Sequence, residues 1–498
     1  MNLTYIKPFF GNQIGYTSAQ YYLLLFVGVI LYYLFPKKIR WVVLLAVSGA
    51  FYLFLFPQPA EAALFGSTIL LSWLFGLVIK RMEQGDSGRR ERVFAVCMTV
   101  TLIPLLLMDI TKARMSFNGS GAPLVRLIIP VGLSFYTLQI IAYLADVYQK
   151  KIEPQKNPFK YALFISFFPQ IMQGPIPRYG DLSDQLTGGN AFDPDNIHRG
   201  FQLILWGFFL KMMIADKAMV FVDAVFGDPG KYVGCYVLIA GILYSLQLYT
   251  DFAACTTLAQ GAALLFGVRI TDNFARPYFS VSIKDFWRRW HISFSTWLRD
   301  YVYIPLGGNR KGKIRRNINL LLTFLVSGFW HGGALHFVAW GLLHGCYQIV
   351  GDLTFKGREK LWRLLGFEKD SKIKKGFRIV ATSFLVMLAW IIFRADDLAT
   401  GTSMIRSIFA DFNPWILSGT TIFQLGLTQL EAGVLAFSAL VLFAVSLCGE
   451  RGIGVGEKIM KTPVLFRYIF YVSVILVIMV FGTYGFGFNA GDFIYRGF

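Results

Sequence analysis

The sequence predicts an all-α, polytopic membrane protein, and three observations support that prediction. Hydrophobic residues make up 55% of the 498 positions and charged residues only 15%, against roughly 45–50% and about 25% in soluble globular domains. Apolar runs of about 20 residues, the length that crosses a bilayer as a helix, recur along the chain. Lys and Arg are concentrated in the short polar stretches between those runs. We therefore expect residues 1–498 to form a single membrane-embedded domain.

The apolar runs predict about eleven membrane crossings, with additional re-entrant and interfacial helices. They lie near residues 19–35, 41–56, 61–79, 93–109, 127–146, 159–173, 200–223, 233–266, 318–350, 377–393, 430–448 and 464–488. The runs at 233–266 and 318–350 are each long enough for two passes, because both contain glycine and polar residues that permit a break.

The formal net charge of +19 is explained by membrane topology, so that no nucleic-acid partner is expected. Basic residues follow the first apolar run at 37–40 and the third at 80–92, whereas the loop at 57–60 has none. Under the positive-inside rule the odd-numbered exits face the cytoplasm and the N-terminus lies outside. The same clusters suit the headgroups of anionic membrane lipids, and they could also attract an acidic carrier protein.

Two segments are too polar for lipid-facing helices and too apolar for free loops. The segment 281–317 mixes Trp and Tyr with charged residues, as interfacial helices do. The segment 158–182 contains prolines and glycine in a hydrophobic setting, which predicts a broken or re-entrant helix. The five cysteines lie far apart in mostly apolar surroundings, which predicts packing roles and neither disulfides nor a metal site.

His331 is the leading candidate for catalysis. The stretch 317–351 contains no charged residue, so this histidine is expected at membrane depth, where an ionisable side chain marks a functional site. Gly328, Gly332 and Gly333 leave room beside it for a ligand or a close backbone. A neutral imidazole can take a proton from a hydroxyl near neutral pH and return it later. The alternative is a structural imidazole that is hydrogen-bonded between helices.

His291 is the second candidate, because it lies among Arg288, Arg289 and Trp290. It could line an entrance for an anionic donor or position the acceptor, and the alternative is an interfacial anchor. The other histidines are expected to be structural or solvated, since their spacing or polar surroundings set them apart from His331. They are His198, His336 and His344.

In combination, these residues resemble the membrane-bound O-acyltransferase family, and within it the branch of the alginate O-acetylation membrane protein. The resemblance covers most of the chain. The matching stretches are 130–137, 166–175, 285–310 and 327–332, with similar motifs at 390–395 and 493–498. The stretches around the two candidate histidines are the specific ones.

The resemblance implies a helical fold with a central tunnel, located in the plasma or inner membrane, with His331 as the essential histidine and His291 as the second. It implies that an acyl group, most simply acetyl, passes from a cytoplasmic donor outward to an envelope polysaccharide. The donor would be a co-substrate, either acetyl-CoA or an acyl-carrier thioester, with no tightly bound cofactor. A cytoplasmic acyl-carrier protein and an extracytoplasmic esterase-like acyltransferase are the implied partners.

Seven further residues are predicted to line the substrate path, because they flank the histidines or lie in family-like motifs. They are Trp330, Arg289, Trp290, Arg299, Asp300, Asn309 and Asp251. One motif departs from the family, since many members read Asp-Phe-Ser-Gly-Tyr-Ser-Asp where this chain keeps Asp251 but ends in Thr257. The loss of that second carboxylate could change specificity or activity.

Three alternatives are weighed against this function. D-alanyl transfer from a carrier protein to teichoic acids is the close one, because it is implied for a related branch of the same family. A transporter or channel would carry several intramembrane carboxylates or an internal repeat, and the sequence shows little of either. Haem ligation is disfavoured, since His331 and His344 would lie about 20 Å apart on one straight helix.

Overall fold

The computed structural model describes residues 15–55, 58–84, 86–118, 130–367 and 371–483, and within them it is helical with no β-strand. The similar motif at 493–498 and the first residues of the chain lie outside this description. The α-helices are α1 Ala19–Leu34, α2 Arg40–Leu55, α3 Pro59–Arg81, α4 Ser87–Asn118, α5 Leu133–Tyr148, α6 Pro158–Ser166, α7 Tyr179–Thr187, α8 Pro194–Phe208, α9 Asp216–Gly227, α10 Cys235–Leu264, α11 Ile283–Arg289, α12 Ile292–Leu298, α13 Gly312–Trp330, α14 Leu335–Leu364, α15 Lys372–Arg394, α16 Leu398–Ala410, α17 Gln429–Glu450, α18 Val455–Met460 and α19 Val464–Phe481. Two π-helical segments, Phe209–Ala215 and Arg299–Tyr303, interrupt this series. Single 3-10 turns lie at Lys37–Ile39, Met82–Gln84, Pro277–Phe279, Pro414–Ser418 and Thr421–Gln424.

Long apolar helices confirm a multi-pass membrane protein. Within the described residues, six helices are long and apolar enough to cross a bilayer. They are Pro59–Gln84, Ser87–Thr111, Cys235–Leu264, Lys372–Arg394, Gln429–Glu450 and Val464–Phe481. Helix α10 is the most buried of them and α19 the least, so α10 forms the centre of the bundle and α19 faces lipid. The total of about eleven crossings stays a prediction.

The two long apolar runs fold differently from each other. The run 233–266 is one continuous helix, α10, and not two passes. Its glycines serve close packing instead of a break: a Cβ on Gly261 would lie 2.7 Å from the Gly200 carbonyl oxygen of α8. The run 318–350 does break, between the end of α13 at Trp330 and the start of α14 at Leu335.

Both unusual segments are broken helices. In 158–182, α6 ends at Ser166 and α7 begins only at Tyr179. The backbone between them is satisfied by other parts of the protein: Ile176 N–H donates to Ser293 Oγ at 3.0 Å. The segment 281–317 forms the short helices α11 and α12, then a π-helical segment and a turn before α13.

The molecule has two distinct ends, joined by a helical rod. Helix α8, the π-helical segment and α9 run without interruption from Pro194 to Gly227, about 50 Å at 1.5 Å per residue. Just before this rod, the Asn190 carbonyl oxygen accepts from Arg40 at 2.5 Å. Near its other end, Asp223 pairs with Arg394 at 2.7 Å. The basic loop at 37–40 and the end of α15 therefore lie on opposite faces of the bundle.

Further basic loops gather at the same end as residues 37–40, which we call the basic end. Lys160 lies over the Trp41 ring, 5.6 Å from its centroid, and Lys80 reaches Glu153 at 2.7 Å. The opposite end, marked by the Asp223–Arg394 pair, is called the far end. The clustering is the physical basis of the orientation predicted from loop charges, although the direction itself stays a prediction.

Candidate active site

His331 lies where the α13–α14 hairpin turns. It is the C-cap residue of α13 and is only 2% exposed. The next two residues, Gly332 with φ 141° and Gly333 with φ 67°, adopt conformations that glycine accommodates without a Cβ penalty. At Gly333 the turn packs against α4, since a Cβ there would lie 3.2 Å from the carbonyl oxygen of Asp109. The glycines predicted to make room beside His331 therefore make the turn that carries it.

Glycine also sets the distance between the two helices of the hairpin. A Cβ on Gly328 would lie 2.4 Å from the Phe337 carbonyl oxygen, and one on Gly341 would lie 2.3 Å from that of Phe324. Both contacts are with backbone, which cannot move aside as a side chain can. Helices α13 and α14 consequently touch backbone to backbone just below His331.

Aromatic rings enclose the His331 imidazole. The ring centroids of Trp330, Trp340 and Phe393 lie 4.8, 5.1 and 5.2 Å from it. The Phe294 ring follows at 6.1 Å. Such a shell, together with the 2% exposure of the residue, excludes bulk water from the imidazole.

His291 is brought to the same aromatic shell from a separate element. Its ring lies 5.0 Å from Phe294 and 6.3 Å from Trp330, the two rings that also contact His331. The Phe252 ring from α10 lies 4.7 Å from it and nearly perpendicular to it. The residue itself is 2% exposed and has φ 44°, an uncommon backbone conformation outside glycine. The two candidate histidines thus share one buried site, with Trp330 and Phe294 beside both.

Asn273 is a buried neighbour of His291 that no sequence motif indicates. Its Oδ1 lies 3.4 Å from His291 Nδ1 and accepts from Ser293 N and Oγ at 3.1 and 2.7 Å. The only signal in the sequence is a short polar run between α10 and Pro277. A polar run of that kind does not indicate which side chain turns inward.

Arg289 and Trp290 point into two different surroundings. Arg289 pairs with Asp285 at 3.2 Å and with Glu450 of α17 at 2.5 Å, and the same carboxylate accepts from Arg276 at 2.8 Å. Trp290 is buried in an aromatic cluster with Phe286, Phe274 and Trp390. Both residues anchor the backbone that leads into His291, and their predicted lining of a substrate path stays a prediction.

Arg299, Asp300 and Asn309 lie away from the shared aromatic shell. The Arg299 side chain is 60% exposed and pairs with Asp300 at 2.8 Å. Asp300 also reaches Arg178 at 3.5 Å, and Asn309 is exposed in the turn before α13. This arrangement places the three residues towards the basic end, and their predicted lining of a substrate path stays a prediction.

Asp251 forms a buried ion-pair triad. Lys211 Nζ lies 2.6 Å from the Asp251 carboxylate and 2.8 Å from that of Asp216, and all three residues are at most 2% exposed. Lys211 lies in the π-helical segment and Asp216 is its C-cap residue. The Asp216 backbone N–H donates to the Lys211 carbonyl oxygen, the i to i+5 bond that brings the two residues together. Asp251 immediately precedes Phe252, which covers His291.

A small polar cavity of about 120 Å³ lies beside Asn273, between α8, α10 and residues 272–274. Thr256, Thr257, Gln260 and Asp272 contribute polar groups to its wall. Because α10 ends at the basic end, this cavity lies in the basic half of the bundle. Thr257, where this chain departs from the motif that it resembles, therefore lines the same cavity as Asn273, the buried neighbour of His291.

A larger cavity, of about 890 Å³, is an apolar groove that neither candidate histidine lines. It runs between α1, α8 and α19, on the lipid-facing side of the bundle. The volume of a cavity therefore does not identify the active site here, because the side chains that line this groove include no acid, base or nucleophile besides the phenol of Tyr22.

The other histidines and the cysteines have structural surroundings. His344 is fully buried and its Nδ1 accepts from Trp287 Nε1 at 3.2 Å. His336 packs on Phe337, with ring centroids 4.0 Å apart. His198, expected in a polar loop, lies within α8 and is half-buried.

Cys97, Cys235 and Cys255 are buried as expected, whereas Cys346 is exposed and Cys448 half-buried. No group of three metal-binding side chains occurs among the described residues.

Residues 155–393, which include both candidate histidines, match the model of the membrane-bound O-acyltransferase family. A probable alginate O-acetylase AlgI of Pseudomonas fluorescens is 33% identical over 430 residues, covering 86% of this chain and 82% of that protein. A peptidoglycan O-acetyltransferase of Helicobacter pylori is 30% identical over 408 residues, covering 75% and 74%. A teichoic acid D-alanyltransferase of Bacillus subtilis is 30% identical over 291 residues, covering 55% and 73%.

The helical membrane fold and its buried histidine site define a multi-pass membrane enzyme. The chain belongs to the membrane-bound O-acyltransferase family, and it is an O-acyltransferase.

Proposed function

We propose that this enzyme passes an acetyl group from a cytoplasmic thioester donor outward, for O-acetylation of an extracytoplasmic envelope polysaccharide. The observation that carries the proposal is the shared burial of His291 and His331 against Trp330 and Phe294. The similarity to alginate and peptidoglycan O-acetylating proteins supports the acyl group and the class of acceptor.

His331 is the proposed general base. As the acceptor hydroxyl attacks the thioester carbonyl, the imidazole takes the hydroxyl proton, and it returns that proton to the departing thiolate. One C–O bond forms, one C–S bond breaks, and the histidine ends in its initial state. The surrounding rings of Trp330, Trp340 and Phe393 keep water away from an acyl donor that water would otherwise hydrolyse.

The position of His331 along α13 supports outward delivery. Helix α13 begins at Gly312, beside Lys311 and Lys313, is 19 residues long and ends next to His331. That length corresponds to about 28 Å, close to the thickness of a hydrocarbon core of about 30 Å. If the basic end faces the cytoplasm, as proposed, His331 lies near the outer face, in the plasma or inner membrane.

The donor route is proposed to start at the basic end. Acetyl-CoA and an acyl-carrier thioester both carry phosphate, and Arg299 is exposed there for an anionic group. An extracytoplasmic esterase-like acyltransferase is the proposed partner that receives the acetyl group and completes transfer to the polymer. No tightly bound cofactor is required by this chemistry, because the acyl donor is itself a substrate.

D-alanyl transfer to teichoic acids is the second candidate, favoured by the similarity to D-alanyltransferases. The smaller share of this chain covered by those proteins, 55% for the Bacillus subtilis protein against 86% for the alginate O-acetylase, places it second. The two functions differ in the acid released from the polymer by mild base, which is acetate in one case and D-alanine in the other.

The test is the acyl content of envelope polymers in cells that lack the gene and carry wild type, His331→Ala or His198→Ala at equal expression. We expect base-released acetate to fall to the deletion level with His331→Ala, since loss of a general base costs roughly 10²–10⁴-fold in rate. His198→Ala, the matched control on α8, should restore the wild-type level. Unchanged acetate with His331→Ala would refute the base, and D-alanine in place of acetate would select the second candidate.

A further inference from the structure

Asn273 lies in a short segment that pairs with the backbone around His291. The Ile292 amide donates to the Asn273 carbonyl oxygen at 3.0 Å, and the Ala275 amide donates to the Arg289 carbonyl oxygen at 2.9 Å. These bonds run on both sides of His291 and hold the two segments in a fixed register. The backbone pairing therefore positions the Asn273 side chain beside His291. Asn273 is 2% exposed.

The orientation of the Asn273 amide follows from its other partners. The Ser293 backbone amide can only donate, so the Asn273 atom 3.1 Å from it must be the oxygen. The Ser293 hydroxyl accepts from the Ile176 amide at 3.0 Å, which leaves its own proton to be donated to the same oxygen at 2.7 Å. Two independent donors thus identify the atom that faces His291 as Oδ1.

An oxygen that faces His291 Nδ1 determines where the ring carries its proton. The Nδ1 to Oδ1 distance is 3.4 Å, and an amide oxygen has no proton to give, so Nδ1 must be the donor. A neutral imidazole with its proton on Nδ1 has its lone pair on Nε2. Nε2 is buried and has no hydrogen-bond partner in the described part of the chain.

We propose that Asn273 is a positioning residue that holds His291 as the Nδ1-protonated tautomer, so that Nε2 is a fixed acceptor for a hydroxyl or water proton in the reaction site. The proposal rests on the proposed function, in which His291 and His331 share that site. Ring contacts restrain the imidazole, since the Phe252 and Phe294 rings lie 4.7 and 5.0 Å from it. The Asn273 contact then decides which nitrogen presents its lone pair.

The tautomer can be read directly by nitrogen NMR of the full chain in lipid nanodiscs, with ¹⁵N-labelled histidine. The sequence has 5 histidines, and the His291 signals are assigned by their loss in His291→Gln. We expect a directly bonded proton on Nδ1 and none on Nε2 in the wild type, and a shift towards Nε2 protonation in Asn273→Ala. Nε2 protonation in the wild type would overturn the proposal.

Turnover is measured on the same samples as acetyl transfer per folded molecule. Asn273→Ala should lower kcat roughly tenfold or more with little change in KM, whereas Asn273→Asp keeps an acceptor oxygen and should restore both the tautomer and kcat. Ser293→Ala is the matched control, because it disturbs the same packing and removes the hydroxyl donor to Asn273 Oδ1, but it keeps the Ser293 backbone amide that donates to that oxygen at 3.1 Å and so leaves the Asn273–His291 contact. If Asn273 only fills space, Ser293→Ala should lower kcat as much as Asn273→Ala, or Asn273→Asp should remain inactive. Either result would contradict the proposal.

The NMR result does not depend on activity. If His331→Ala left envelope acetate unchanged, the proposed function would fail while the tautomer of His291 could still be confirmed or refuted. The two proposals are therefore tested separately.

Discussion

At the scale of single residues, His331 and His344 contact the same Trp340 ring but have different surroundings. The distances from that ring are 5.1 and 5.2 Å. His331 is held at a glycine turn between two helices, whereas His344 is inside α14 and accepts a hydrogen bond from Trp287 Nε1. An indole nitrogen can only donate, so the lone pair of His344 Nδ1 already accepts a hydrogen bond and is not available to a substrate. His344 is thus a structural partner of Trp287.

This difference predicts separate effects of substitution. We expect His344→Phe to lower the free energy of unfolding by about 1–3 kcal/mol, because the buried Trp287 N–H loses its acceptor. Acetyl transfer per folded molecule should change little, in contrast to His331→Ala. Thermal unfolding in detergent and transfer normalised to folded protein check the two effects, and a folded but inactive His344→Phe enzyme would contradict the structural assignment.

The buried triad of Lys211, Asp216 and Asp251 predicts a large stability effect. In Lys211→Met, two carboxylates remain close together without their cation, which should cost about 3–5 kcal/mol in folding free energy. Replacing all three residues, as Lys211→Met with Asp216→Asn and Asp251→Asn, removes the uncompensated charges and should recover much of that loss. The yield of monodisperse protein and its unfolding temperature in detergent measure both steps.

The triple variant also separates two roles of Asp251. Recovered stability together with wild-type transfer would mean that Asp251 serves folding alone. Recovered stability without transfer would support its predicted place on the substrate path. If Lys211→Met were no less stable than the wild type, the predicted cost of leaving two buried carboxylates without their cation would be refuted.

Single residues differ in how far the sequence reveals them. His331 is predictable, because a charge-free apolar stretch of bilayer length makes any titratable side chain conspicuous. Asn273 and Lys211 are not, because their roles arise from partners elsewhere in the chain: Ser293 and His291 for one, Asp251 for the other. A polar residue in a loop, or a lysine in the middle of a long helical run, has no sequence pattern that would indicate such a pairing.

At the scale of elements, the α13–α14 hairpin depends on glycine where the helices touch. Gly328→Ala would place a methyl group 2.4 Å from the Phe337 carbonyl oxygen, which must move α14 away from α13. We expect a loss of about 1–3 kcal/mol in stability and a displaced His331, with transfer reduced more than folding. Unfolding temperature and transfer per folded molecule are the measurements.

Gly357→Ala is the control for this prediction. Gly357 lies on α14, the other helix of the hairpin, and no atom is within 4 Å of a Cβ added there. It should be neutral or stabilising by up to about 1 kcal/mol, because alanine favours a helix interior. Equal effects at both positions would show that helix propensity, and not the contact between α13 and α14, controls the hairpin.

The sequence predicts some helix breaks correctly and one, in the run 233–266, wrongly. The break within 158–182 is predictable from its prolines, and the break at His331 from adjacent glycines. Helix α10 remains continuous despite Gly241 and Gly261, because both are used for close contact with neighbouring helices. Glycine has the same pattern in either case, so tertiary packing decides between a break and a contact.

At the scale of the whole molecule, the two ends of the bundle make the predicted orientation testable. Lys38 lies in the exposed loop at the basic end, and Asp396 is exposed just beyond α15 at the far end. The helical rod of about 50 Å between those ends exceeds the hydrocarbon core, so we expect both positions to lie outside the membrane, on opposite faces. Loop charges predict that Lys38 is cytoplasmic and Asp396 outside.

Cysteine labelling decides the orientation. Lys38→Cys and Asp396→Cys are introduced into a chain with Cys346→Ala and Cys448→Ala, which removes the native cysteines that are not buried. A membrane-impermeant maleimide should label position 396 in intact spheroplasts, and position 38 only after permeabilisation. The reverse pattern would put His331 near the cytoplasmic face. Acyl transfer would then occur before the group crosses the membrane, and outward delivery would need a separate translocation step that this fold does not explain.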